Sequence, residues 1–376
     1  MPTPATLPLE ATVDALGANA PLWAIVFAGG IGSRFWPLSS PQRPKPTLQL
    51  LGERPLIADA IRRLAPLVPA ERVLVATSRD IAAAVRAVLP DLPAENFLVE
   101  PRPLGTAAAL AWGLEVIRQR GGAFSNVCAL HADLTADFPD EFRRALRRAV
   151  ATAIRERALV TLGVIPTRPE SAFGYAVPGE PIDADTPVWQ GGVCRVTRFV
   201  EKPGLDVLTQ VLMDGALWHA CVLVARTADL TEQLYTHATE LARGREALAR
   251  GNLPAFAGLI DSVSIERGLL ERSDNLVVVP VECGWDDVGT WASVRRARDL
   301  DDDGNGAIGD VAFVDSESNV VHAEDGAVVV FGCERLLVVT LPGLTFVTTL
   351  DKAADLRPLL DQLPAKLRFD LTRPPT

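Results

Sequence analysis

An apolar run that ends in glycines, LWAIVFAGG over residues 22–30, opens a long alternation of short apolar segments with longer amphipathic ones. An unbroken run of this kind belongs to a strand buried on both faces. Similar segments follow at 72–77, 96–101, 126–130 and 158–166, and helical patterns fall between them at 55–65, 79–89, 105–119 and 141–157. Pro55 stands at the start of the first helix, where its missing N–H is no loss. Such alternation predicts an α/β fold, a Rossmann-like parallel or mixed sheet with helices on both faces. Ligands of these sheets lie beyond the carboxyl ends of the strands. The glycines after the first strand and Asp133 after the fourth fall at those ends.

Residues 167–225 are richer in Pro, Gly and Trp, with strands expected at 193–200 and 218–225, and read as an insertion over the sheet. Residues 227–250 are expected to be helical, and a strand at 276–282 leads into GWDDVGTW (284–291). The composition breaks at DLDDDGNG (299–306), after which short β-rich runs recur until a closing helix at 351–363. Three regions are therefore expected: a flexible tail over 1–20, a main domain over 21–303, and a small β-rich domain over 304–376. Short strands recurring with turns fit a sandwich or a β-helix, and their period is too degenerate to choose.

The balance of 37 basic and 47 acidic residues gives a net charge of −10. That argues against nucleic acid or an anionic membrane as partner, while leaving room for a local cationic site. With 48% apolar and 22% charged residues the chain is neither disordered nor fibrous. No two of its five Cys stand at CxxC spacing, so reduced thiols in a cytoplasmic protein are expected rather than zinc or disulfides. Residues 1–20 hold no Lys or Arg and do not read as a signal peptide. No window approaches the ~18 apolar residues of a membrane span.

The most informative stretch is AGGIGSRFWPLSSPQRPKP (28–46). Gly29, Gly30 and Gly32 allow a tight loop whose N–H groups face an anion. It lacks the GK[ST] of a P-loop. Phe35 stands where the third glycine of a dinucleotide fingerprint belongs, which disfavours an oxidoreductase. Glycines alone also suit an ordinary turn, but Arg34 and Lys45 add a planar fork and a mobile point charge suited to a triphosphate.

These residues resemble the signature of the sugar nucleotidyltransferases, and FWPLS (35–39) is most similar to the mannose-1-phosphate guanylyltransferase branch. The resemblance continues in order through Glu100-Pro101 with Thr106-Ala107, Asp133, VTLGVIPTRPE with FGY (160–175), FVEKP (199–203), SIERGLLER (264–272) and GWDDVGTW. It implies a nucleotide-diphospho-sugar transferase fold, with the β-rich end as a C-terminal extension in the form of a left-handed β-helix. The implied reaction is Mg²⁺-dependent nucleotidyl transfer from GTP to mannose 1-phosphate, giving GDP-mannose and pyrophosphate, in a homodimer. No covalent enzyme intermediate is needed, so catalysis rests on positioning and charge neutralisation.

By the same resemblance Arg34, Lys45 and Lys202 are catalytic, and Asp133 and Asp287 hold the metal. Hard Mg²⁺ is satisfied by one or two carboxylates with water and phosphate oxygens. Ala28, Gly29, Gly30, Gly32, Ser33, Glu100 and Thr106 would frame the nucleotide, and Gly174, Glu201 and Glu266 the sugar. Asp286 is a neighbour that either supports the metal or caps a turn, and Arg102, Arg168 and His131 read as surface or structural groups. Trp36, Trp218, Trp285 and Trp291 read as packing.

Some positions depart from the branch. Pro46 replaces a Gln, Gly105 an Asn and Leu134 a His, and His219-Ala220-Cys221 stands for Asn-x-Gly. These changes fall on base and sugar recognition, whereas the phosphate and metal set is intact. The alternatives are a related enzyme with another base or sugar, and a catalytically weak regulatory homologue.

Overall fold

A computed structural model of the protein describes residues 20–121, 124–182, 186, 188–364 and 367 of the 376. The expected tail over 1–20 lies almost wholly outside the described residues, as does the end of the chain from 368.

The first apolar run forms β1 (Leu22–Ala28), and the alternation continues through α1 (Leu56–Leu64), β2 (Val73–Ser78), α2 (Ala82–Ala87), β3 (Phe97–Glu100), α3 (Thr106–Gly121) and β4 (Asn126–His131). A short β5 (Leu134–Ala136) precedes α4 (Pro139–Glu156) and β6 (Leu159–Val164). The insertion supplies β7 (Gly174–Pro181), β8 (Cys194–Glu201), α5 (Leu205–Met213) and β9 (Leu217–Arg226). Then follow α6 (Thr227–His237), α7 (Arg245–Ala249), α8 (Leu253–Leu259), β10 (Leu276–Pro280), β11 (Trp285–Asp287) and α9 (Trp291–Ala297).

Nine of these strands make one sheet in the order β3-β2-β1-β4-β9-β6-β10-β8-β7. Strands β1 to β4 pair in parallel, as do β6 and β10. Strand β9 runs antiparallel between β4 and β6, so the sheet is mixed. The chain moves outward from β1 to β3 and returns to β4 on the other side. That reversal is a topological switch point, and the crevice it opens receives Gly29–Gly32 and Asp133.

Side chains alternate across β1. Ala24, Val26 and Ala28 enter one buried cluster with Phe142 and Leu146 of α4. Trp23, Ile25 and Phe27 enter the other with Leu110 and Leu114 of α3. Helix α3 comes close enough that a Cβ on Gly113 would lie 2.5 Å from Cδ1 of Ile25.

The β-rich end is a four-stranded sheet of β12 (Gly306–Val314), β13 (Val320–Phe331), β14 (Leu336–Leu341) and β15 (Leu344–Thr349). Gly306, Val320 and Leu337 stack in parallel register, and β15 closes the sheet antiparallel. Buried asparagines stitch the successive layers. Asn319 Nδ2 donates to Asn305 Oδ1 at 3.0 Å, and Asn319 Oδ1 accepts from the Leu336 N–H at 2.8 Å. A third apolar cluster joins this sheet to the loop after β1, bringing Phe35, Leu38 and Leu48 against Trp291, Leu337 and Leu350. Arg298 bridges the same junction, donating to the carbonyls of Leu50 (2.7 Å) and Val321 (3.0 Å).

Two expected helices are broken. The 227–250 segment ends its first helix at His237 and resumes in 3₁₀ and α turns, as Leu241 enters the core. The closing helix divides into α10 (Leu350–Ala353) and α11 (Arg357–Gln362), because Pro358 tolerates only the first turn of a helix. The four tryptophans read as packing are buried, from 0% (Trp291) to 7% exposed (Trp285). The five cysteines are free.

Candidate active site

The loop after β1 is shaped by one glycine above all. Gly32 has φ +80°, and a Cβ there would collide with the Cβ of Lys45. Its carbonyl accepts from Phe35 N–H (2.8 Å) and Ser39 Oγ (2.7 Å), and the Lys45 N–H returns to the Ile31 carbonyl at 2.8 Å. Around Gly29 and Gly30 the space is open, so their backbone is bare. Ala28 is fixed beneath them by Thr77 Oγ1, which donates to its carbonyl at 2.8 Å.

Lys45 is laid across this loop and over the Phe35 ring, 5.5 Å from its centroid, and its ammonium pairs with Asp133. The register Asp287–Leu134 in the β11–β5 ribbon sets Asp287 beside Asp133. The departure at Leu134 is thus a buried strand residue, 3% exposed, inside that ribbon. Burial alone would raise the Asp133 carboxyl, but the Lys45 ammonium holds it below the usual carboxylate range. Asp287 goes the other way: burial raises it, and the Lys45 ammonium, opposed by the charge of Asp133, does not cancel this. Among the described residues no donor hydrogen-bonds to its carboxylate. A divalent cation between the two would supply the charge that Asp287 lacks, and hard oxygen donors suit Mg²⁺. Among the described residues no group of three or more His, Cys, Asp or Glu could hold an ion, and a metal that also binds phosphate oxygens needs none.

A second group lies at the ends of β7 and β8. Lys202 has φ +50°, and its ammonium meets Glu201 Oε1 at 2.8 Å. The Glu201 N–H donates to Glu271 Oε1 at 2.8 Å. Gly174 makes room for Glu201, since a Cβ would lie 2.8 Å from its Oε2. Burial raises Glu201, and Glu266 and Glu271 add to the rise. Glu266 opens a π-helical turn, Glu266–Leu270, a rare element frequent at functional sites. Burial would raise it too, but His131 and His219 bring it below the ordinary value.

His131 reads as structural from the sequence, whereas Cys221 stands at a departure that falls on sugar recognition. His131 packs edge-on to Phe27 at 5.6 Å, its Nε2 is buried without a partner, and its field reaches Asp133, Glu266 and Asp287. The signal was the string HADL, which puts a ring at the carboxyl end of β4. Cys221 has φ +54°, and burial followed by the carboxylates of Asp287, Glu266, Asp133 and Glu201 pushes its thiol well above the usual range. His219 is 4% exposed, meets Thr161 Oγ1 at 2.6 Å, and is depressed by burial to about 4.

On the nucleotide side, Glu100 is 7% exposed with Oε1 unpartnered, and burial pushes its carboxyl up to about 7. Thr106 Oγ1 accepts from the Ile265 N–H at 2.9 Å. The departure at Gly105 has a steric reason: φ is +87°, and a Cβ would meet the Val263 carbonyl at 2.5 Å.

Lys45, Asp133 and Asp287 are therefore brought together, with Lys202, Glu201 and Glu266 linked to them through Cys221 and His131. Arg34 stands apart. It and Ser33 are exposed and line a small cavity of about 140 Å³ with Asp355, Leu356 and Arg357. Arg168, read as surface, is half-buried over the Trp218 ring at 4.8 Å, and Arg102 donates to the Ala257 carbonyl.

The nucleotidyl transferase family profile matches residues 23–303. The mannose-1-phosphate guanylyltransferase of Escherichia coli K12 is 29% identical over 366 residues, 94% of this chain and 76% of that protein. The alginate biosynthesis protein AlgA of Pseudomonas putida KT2440 is 31% identical over 354 residues, 90% of this chain and 71% of that protein. A crystal structure of mannose-1-phosphate geranyltransferase from Thermus thermophilus superposes with a TM-score of 0.81 at 31% identity, covering 91% of this chain and 98% of the other. The α/β fold, the switch-point loop and these likenesses agree: the chain belongs to the nucleotidyl transferase family and is most like its mannose-1-phosphate guanylyltransferases.

Proposed function

We propose that this protein transfers a guanylyl group from GTP to mannose 1-phosphate, releasing pyrophosphate and forming GDP-mannose. A phosphate oxygen of the sugar 1-phosphate attacks the α-phosphorus of GTP. The bond from that phosphorus to the α–β bridging oxygen breaks, and pyrophosphate leaves with the electron pair. Lys45 carries the reading, because its ammonium is anchored on Asp133 under a bare glycine loop.

The chain's own groups position the reactants. Backbone at Gly29 and Gly30 receives the triphosphate, and Lys45 neutralises charge developing on it. Ser33 and Arg34, exposed on the stretch that follows the glycines, would have to turn from Asp355 and Arg357 to meet the leaving pyrophosphate end. Lys202 holds the sugar phosphate, while Glu201 and Glu266 accept from sugar hydroxyls. Glu100 and Thr106 border the base and ribose. Mg²⁺ held by Asp133 and Asp287 would neutralise phosphate charge and lower the barrier to attack. The reduced thiols fit a cytoplasmic setting. The parallel stack of Gly306, Val320 and Leu337 fits the coils of a short left-handed β-helix.

The test combines the full chain with four nucleoside triphosphates, a panel of sugar 1-phosphates and Mg²⁺, reading pyrophosphate. GTP with mannose 1-phosphate should turn over fastest, and Asp287→Asn should abolish turnover while the folded state persists. A second reading, a regulatory homologue, is favoured by Cys221 standing among the sugar-site carboxylates. Tight GTP binding without turnover on any sugar phosphate would select it.

A further inference from the structure

A cavity of about 530 Å³ lies at the carboxyl ends of β6 and β10, and it shares no residue with the catalytic and binding set described above. This volume falls in the range of small-molecule sites. Trp218 and Trp285 line it, 6.1 Å apart, and Phe173 packs edge-on to both. At its rim Trp189 is 70% exposed, an indole left in solvent with no core to justify it.

The polar lining is of mixed sign. Asp286 takes a bidentate pair from Arg296 (2.7 and 3.1 Å) and lies 3.7 Å from Arg168. The latter distance is too long for a hydrogen bond, and Arg168 Nη2 is buried without an acceptor. Trp285 Nε1 is likewise buried and unpartnered. Asp137 and Glu282 complete the wall, so three carboxylates face two guanidinium groups.

We propose that this cavity is a second binding site, separate from the nucleotide site, for a neutral saccharide. An anion would meet a wall of net negative charge and would have to displace Asp286 from Arg296. A purely apolar ligand would strip water from the lining carboxylates and guanidinium groups and give nothing in return. A hydroxylated ring satisfies both conditions. Its hydroxyls donate to the lining carboxylates and accept from the partly exposed guanidinium groups of Arg168 and Arg296, while its C–H face covers the electron-rich face of Trp189. Asp286 precedes Asp287 on β11, so the ligand would sit one residue from the proposed metal carboxylate.

Titration calorimetry of the full chain with methyl α-D-mannopyranoside and with maltose tests this. At least one should bind saturably with a Kd of about 1 mM or tighter. Trp189→Ala should weaken binding at least about tenfold, with thermal midpoint and basal turnover unchanged. Glu201→Gln, which alters the proposed sugar-phosphate site, should leave the affinity as it was, and inorganic phosphate should not compete. Failure of both saccharides to bind, full affinity in Trp189→Ala, loss of affinity in Glu201→Gln, or displacement by phosphate each overturns the assignment.

Discussion

Lys45 runs directly across Gly32, and it can reach Asp133 only because Gly32 has no side chain. One left-handed turn thus sets the position of the ammonium and, through it, the charge state of both site aspartates. Gly32→Ala adds a Cβ where the Lys45 stem now lies, on a backbone that L-residues adopt at a cost of about 1–2 kcal/mol. Displacing the ammonium by about 1 Å costs on the order of 100-fold in rate. Steady-state turnover should fall by that factor with the fold retained by circular dichroism. Wild-type turnover in the variant would remove Lys45 from the triphosphate path.

Lys202 offers a cleaner separation of the two substrates. Its side chain is 57% exposed, so Lys202→Ala leaves packing intact, while Glu201, its partner at 2.8 Å, keeps the sugar side of the site. A charge-assisted contact contributes about 1.5–3 kcal/mol. KM for the sugar 1-phosphate should therefore rise about 10- to 100-fold, with KM for the triphosphate nearly constant. Equal rises in both constants would reject the assignment of Lys202 to the sugar phosphate.

The parts legible in the sequence are those set by neighbours along the chain. Strands β1, β2, β4 and β6 are apolar because both sheet faces are covered, and the loop at Gly32 carries its own turn chemistry. What escaped notice is tertiary. His131 bears on the charge of Glu266 only because the fold brings the end of β4 and the π-helical turn into one site, and the sequence separation of the two hides this. Arg34 reads as a partner of Lys45, yet the β-rich end folds back on the loop and sets Asp355 and Arg357 beside it. Gly105 reads as a lost contact, whereas its positive φ and the nearby Val263 carbonyl leave no room for a side chain.

Glu100 makes stability depend on pH. Burial raises its carboxyl from 4.5 to about 7, so the folded state favours the protonated form. The resulting stabilisation is complete below the unfolded value and is lost as pH rises through about 7. At 1.36 kcal/mol per unit the whole effect is at most about 3 kcal/mol. Urea unfolding should show Glu100→Gln gaining on the wild type by up to that amount between about pH 5 and pH 8. Parallel curves for the two proteins would mean that Glu100 is solvated and ionised throughout.

Cys221 combines a left-handed backbone with a side chain among the carboxylates of the proposed sugar site. A non-glycine residue at φ +54° costs about 1–2 kcal/mol, and glycine there costs about 0.5–1 kcal/mol through the unfolded chain. Cys221→Gly should therefore be neutral or stabilising by about 1 kcal/mol, although it removes a half-buried side chain. It also removes the thiol from the space between Glu201, Glu266 and Asp287, so kcat/KM for the sugar 1-phosphate should rise while that for the triphosphate stays level. If instead the sugar phosphate is used less well, the thiol is a contact that the substrate needs, and the pocket is fitted to a ligand different from the one that the Asn-x-Gly pattern serves.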